Sequence, residues 1–133
     1  MINCSKDFYQ NLKVHLICGE KKPFCDCSGS VCAALSYTRN KIFRVTANFL
    51  FHNLFTIPVH EKNIETGYVA IFFINKSGKA VHVAGYCGNG YFMNVSSIEQ
   101  KKLSRKRTLK ELIAMNNTFS IKLRKMEENN EYV

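Results

Sequence analysis

Cys27, His82 and Asn94 are the residues of this 133-residue chain whose types and spacing could together carry out a reaction. A thiol, an imidazole and a polar group that orients the imidazole make a nucleophile, base and orienter set. Cys27 lies in Phe24-Cys25-Asp26-Cys27-Ser28-Gly29-Ser30-Val31-Cys32-Ala33-Ala34-Leu35, a short polar turn that opens into a helix. Asp26 is an N-cap residue type, able to accept from the N–H groups of the first turn. Val31, Ala34 and Leu35 recur at helical spacing and predict a buried face. A cysteine at such a boundary feels the positive end of the helix dipole, which favours thiolate over thiol. Thiolate is the form that attacks carbonyls, so Cys27 is the expected nucleophile.

His82 is the one of four histidines embedded in a strand pattern. Alternation puts Ala80, His82, Ala84 and Tyr86 on one face and Val81, Val83 and Cys87 on the other. The small neighbours leave room for another element, such as the start of the cysteine helix. Taken alone, such a histidine also reads as a hydrogen-bonded structural residue. The hairpin decides where Asn94 falls. A loop of Gly88, Asn89 and Gly90 pairs Cys87 with Tyr91 and Ala84 with Asn94, leaving Asn94 diagonal to His82 on the same face. A two-residue loop would send Asn94 to the opposite face. Gly90 suits the left-handed position of the longer loop, so three residues are expected. Cys27 would then attack an amide carbonyl, His82 would pair with the thiolate and protonate the leaving amine, and Asn94 would fix the ring. N–H groups at the start of the helix would stabilise the oxyanion.

These groups need elements to hold them. Residues 5–14 suggest a first helix capped by Ser5, with Phe8 and Leu12 on one face. The Cys27 helix is expected to run to about residue 37 or 38. Residues 46–54 form a third helix, capped by Thr46 and burying Phe49, Leu50 and Leu54. From Gly67 the period changes. Residues 68–74 are a continuous apolar run fit for a central strand, 75–79 a turn, 80–87 a second strand and 91–96 a third. A helix over 108–115 and a strand over 119–123 follow. Helices first and a meander afterwards predict an α+β domain, with N-terminal helices packed on an antiparallel β-sheet. The length fits a single domain over 1–133, with no linker or repeat.

With 46% hydrophobic residues the chain is globular. No apolar run approaches the roughly 18 residues of a spanning helix, so no membrane span is expected. Residues 1–7 lack a basic patch followed by an apolar core, which predicts a chain made in the cytoplasm without a signal peptide. Six cysteines under those conditions read as thiols. Cys18, Cys25 and Cys27, with His15 nearby, lack the second ligand pair of a structural zinc site, so no metal is expected. Net charge is +9, and Lys101, Lys102, Arg105, Lys106, Arg107 and Lys110 stand together with no acid among them. That block reads as a solvated helix start or as a surface for an anionic partner. It lacks the interleaved aromatics that stack on bases, so no nucleic acid is expected.

The motifs resemble the NlpC-type cell-wall cysteine peptidases of the papain-like superfamily. Asp26-Cys27-Ser28-Gly29 is similar to that family's Asp-Cys-Ser-Gly signature. His82-Val83-Ala84-Gly85-Tyr86 and Gly88-Asn89-Gly90-Tyr91-Phe92-Met93-Asn94 resemble its histidine strand, glycine turn and third polar residue. Phe43-Arg44-Val45-Thr46-Ala47 resembles the family's Pro-Arg-Thr-Ser segment, and Gly67-Tyr68-Val69-Ala70-Ile71-Phe72-Phe73 its Gly-Asp-Leu-Val-Phe-Phe strand. The chain departs from the family in three places. His15-Leu16-Ile17-Cys18-Gly19-Glu20 stands where a tyrosine is usual, Ser30 replaces a bulky apolar residue, and Tyr68 replaces an acid.

The resemblance implies a cysteine amidase that cuts peptidoglycan stem peptides, commonly between D-glutamate and diaminopimelate, with no cofactor. It carries the roles of nucleophile, base and third member to Cys27, His82 and Asn94, and substrate binding to Asp26 and Ser28. A wall amidase without a signal peptide would act in the periplasm or cell wall after delivery by a secretion system or by lysis. Type VI secretion amidase effectors are such proteins, and an effector implies a cognate immunity protein. Two other functions compete: a papain-like acyltransferase, deamidase or protease acting on host protein, and a non-enzymatic nucleic-acid binder using residues 101–110.

Overall fold

A computed structural model describes residues 27–39, 44–64, 68–94, 105–115 and 120–127. The expected first helix, Asp26 and the cysteines before Cys27 lie outside the described residues. Helix α1 spans Cys27–Arg39. Helix α2 spans Ala47–Phe49 and continues as a π-helix over Leu50–Leu54. Strand β1 is Ile57–Pro58, followed by a 3₁₀ turn at Glu61–Asn63. Strands β2 (Tyr68–Ile74), β3 (Ala80–Gly88) and β4 (Tyr91–Asn94) form the expected meander. Strand β5 (Arg105–Thr108), helix α3 (Leu109–Met115) and strand β6 (Ser120–Met126) complete the described chain.

The six strands form one sheet in the order β1-β6-β2-β3-β4-β5, and every neighbouring pair is antiparallel. The domain is α+β. Strand β2 is central and buried along its whole length, which explains why its sequence is apolar throughout instead of alternating. Its two faces serve two cores. Tyr68, Ala70, Phe72 and Ile74 join Val31, Cys32, Ala34 and Leu35 of α1 and Leu50, Leu54 and Phe55 of the π-helix segment. Val69, Ile71 and Phe73 join Ala84, Tyr86, Phe92 and Leu112 on the other side.

Three expectations are corrected. The third helix is not uniformly α. Thr46 caps it as expected, with Phe49 N–H donating to Thr46 Oγ1 at 3.1 Å. A five-residue bond from Phe55 N–H to the Leu50 carbonyl (2.7 Å) then widens the turn, and Leu50 and Phe55 are both fully buried. The basic block is not simply a helix start, since Arg105–Thr108 is an edge strand paired with β4. Charge on an edge strand discourages pairing with other chains. Thr108 and Glu111 then open α3 as a capping box: Thr108 N–H donates to Glu111 Oε1 (3.0 Å) and Glu111 N–H to Thr108 Oγ1 (3.2 Å).

The third correction concerns the hairpin. Its loop has two residues, Asn89 and Gly90, with φ of 57° and 81°, the left-handed pair of a type I′ turn. Gly88 pairs with Tyr91, and the register shifts between Tyr86 and Gly88. Cys87 is the extra residue of a β-bulge, and its thiol donates to the Tyr91 carbonyl at 3.3 Å. Tyr86 Oη accepts from Gly90 N–H at 2.9 Å and pins the turn from beneath. The bulge restores the parity that a third loop residue would have supplied. Gly85 opposes Met93, so Ala84 and Asn94 fall opposite each other, as expected.

Candidate active site

His82 stands at the start of β3, directly opposite Phe73 of β2. Opposed residues of an antiparallel pair share a face. The imidazole lies flat on the Phe73 ring, with centroids 5.0 Å apart and planes 4° from parallel. Asn94, at the end of β4 and 1% exposed, meets it from the neighbouring strand. His82 Nε2 and Asn94 Oδ1 are 2.6 Å apart. A carbonyl oxygen only accepts, so Nε2 carries the hydrogen and Nδ1 is the basic nitrogen of the neutral ring. The ring is thus fixed in plane by Phe73 and in tautomer by Asn94.

Cys27 opens α1, half-buried against the core cluster that holds Val31 and Val83. The helix packs on β3, the histidine's strand. Ser30 Oγ donates to the Cys27 carbonyl at 2.9 Å, so this buried serine closes the first turn on itself. Ser28 is 6% exposed. Its hydroxyl accepts from Arg44 Nη1 at 3.0 Å. Four residues on, Asn48 Oδ1 accepts from Ala80 N–H at 2.9 Å, at the first residue of β3. The segment from Arg44 to Asn48 therefore ties the start of α1 to the start of β3.

The expected alternation along β3 fails at one point. Phe73 opposes His82 but Ile74 opposes Ala80, so Val81 is a bulged residue and is 41% exposed. Ala80 therefore joins the helix-side core, whereas Ala84 and Tyr86 stay on the side of Phe73. The buried residues of α1 face Val83, not the ring of His82.

Phe73 and Arg44 are the site neighbours that residue types alone did not single out. Phe73 was legible only as part of an apolar run, because its role depends on register with His82. The other described histidines bond to backbone groups away from this pair. His52 Nε2 lies 3.2 Å from the Gly78 carbonyl, and His60 Nδ1 accepts from Lys62 N–H at 3.2 Å. Among the described residues no group of three or more His, Cys, Asp or Glu could hold a metal ion, and no helix is long and apolar enough to cross a membrane.

The architecture has solved counterparts. NlpC2 from Trichomonas vaginalis superposes with a TM-score of 0.62 at 20% sequence identity, covering 95% of this chain. NlpC1 from the same organism gives 0.59 at 21% identity, again over 95% of this chain. The fold is NlpC-like. This chain spans about half the length of those two proteins, 48% and 45% respectively. No protein-family model matches the sequence, and no curated protein matches it either. Shared NlpC-like architecture at this identity speaks for the fold alone.

Proposed function

We propose that this protein is a cysteine amidase that hydrolyses amide bonds in peptidoglycan stem peptides, with the D-glutamyl–diaminopimelate bond as its expected target. The observation that carries the reading is the His82–Asn94 hydrogen bond at 2.6 Å. It leaves Nδ1 as the ring's basic nitrogen.

In this mechanism the Cys27 thiolate adds to the amide carbonyl, and N–H groups of the first turn of α1 hold the oxyanion. The carbon–nitrogen bond breaks as His82 gives its proton to the leaving amine, which leaves a thioester on Cys27. Water then attacks the thioester while His82 takes its proton. The product acid departs and the thiolate returns. Asn94 keeps the ring in place through both steps. Asp26 and Ser28, which flank Cys27, are assigned to holding the stem peptide. The substrate places the site of action in the cell wall.

The test is digestion of purified sacculi of defined composition, with mass spectrometry of the fragments. The reading expects a new free amine on diaminopimelate, absent with Cys27→Ala. Digestion by Cys27→Ala at the original rate would rule it out. Intact sacculi alongside a cleaved or deamidated protein substrate would move the activity to a different amide.

A further inference from the structure

Arg44 binds two acceptors through a single nitrogen. Its Nη1 donates to Ser28 Oγ at 3.0 Å and also to the carbonyl of Val45. Ser28 directly follows Cys27, so an exposed arginine reaches into the first turn of the nucleophile helix. One turn further on, the fully buried thiol of Cys32 accepts from Val45 N–H at 3.4 Å and donates to the Val45 carbonyl at 3.5 Å. The backbone of Val45 therefore holds α1 at two points, through Arg44 at Ser28 and directly at Cys32. The first turn of a helix is where the N–H groups lack partners within the helix and where fraying begins. The direction of the Cys27 sulfur follows that turn.

We propose that Arg44 is the positioning residue of Cys27, acting through Ser28. It braces the first turn of α1 against Val45 and so fixes the direction of the Cys27 sulfur. This rests on the reading of Cys27 as the nucleophile. A planar guanidinium suits the task because its N–H donors are set in a fixed fork. Lysine keeps the charge but presents a rotating point donor.

The experiment measures alkylation of Cys27, Cys32 and Cys87 by iodoacetamide, resolved by mass spectrometry, in the full chain and its Arg44→Gln, Arg44→Lys, Ser28→Ala and Arg44→Gln/Ser28→Ala variants. Loss of one charge-assisted hydrogen bond is expected to slow Cys27 labelling about tenfold in each of Arg44→Gln and Ser28→Ala. The double variant is expected to be no slower than the slower single, because both substitutions remove the same bond. Arg44→Lys is expected to recover part of the rate. A merely structural loss would loosen the fold and raise labelling at all three thiols, Cys27 included. Undiminished Cys27 labelling in Arg44→Gln, or slow-downs that multiply in the double variant, overturns the positioning role and leaves the amidase reading standing. A wild-type Cys27 that reacts no faster than the buried Cys32 and Cys87 overturns both.

Discussion

The Nε2 of His82 and the Oδ1 of Asn94 lie 2.6 Å apart, although they stand twelve positions apart in sequence, on either side of a hairpin. Their meeting depends on a bulged residue, Cys87, that keeps both side chains on one face of the sheet. The site is therefore sensitive to hairpin geometry as well as to the polar groups themselves.

Removing the base and removing its orienter are expected to differ in size. His82→Ala eliminates proton transfer and is expected to lower kcat by about 10²- to 10⁴-fold. Asn94→Ala keeps the imidazole but frees its tautomer and orientation. Loss of one hydrogen bond of about 1–2 kcal/mol predicts roughly a 5- to 30-fold drop. Steady-state kinetics on stem-peptide substrates measure both, and an Asn94→Ala enzyme at full rate would contradict the orienting role.

Gly90 tests the turn. Its φ of 81° is left-handed, yet a Cβ added there would meet no atom within 4 Å. Gly90→Ala is therefore expected to cost conformational energy alone, about 1–2 kcal/mol. Asn89→Gly at φ 57° is expected to be close to neutral. Chemical denaturation of the two variants checks the contrast.

The capping box of α3 predicts an acid-sensitive element. The Thr108 backbone N–H above all holds the Glu111 carboxyl below its ordinary value of 4.5; desolvation, the next largest effect, opposes it, and the Thr108 hydroxyl and Arg107 add to the lowering. A lowered pKa means that this contribution is present above the unfolded-state value and is lost as pH falls through the folded one. The α3 helix is expected to fray below about pH 4.5. Glu111→Gln is expected to flatten that acid dependence while keeping an acceptor for Thr108 N–H. Thr108→Ala is expected to cost about 1 kcal/mol. Circular dichroism of the variants across pH 3–7 measures this.

The core makes a plainer prediction. Phe72 is fully buried on the helix side of β2, with ring centroids 5.2 Å from Phe51 and 5.6 Å from Phe55. Phe72→Ala is expected to destabilise by about 3–5 kcal/mol in urea unfolding.

Strong periodic signals carried most of the fold. The unbroken apolar run of residues 68–74 became β2 with the expected bounds, and Thr46 caps its helix as its type suggests. Register was less legible. Gly88, Asn89 and Gly90 allow either a long loop or a tight turn beside a bulge, and only the Cys87 thiol and Tyr86 hydroxyl contacts, formed after folding, select the second. Arg105 to Thr108 read as charge alone, because pairing with β4 lies in the partner strand and not in the residues themselves. The same holds for Phe73 beneath His82 and for Arg44 on Ser28. Residue types announced the thiol, imidazole and amide, whereas the side chains that hold them arise from tertiary contacts.

The most direct test of the account is the rate at which Cys27 is alkylated at pH 6, in the wild-type protein and in His82→Ala. An imidazole that draws the thiol proton predicts fast labelling of Cys27 in the wild type and a fall of at least about tenfold without the ring. Equal rates in the two proteins would mean that His82 does not act on Cys27, and the proposed chemistry would be wrong.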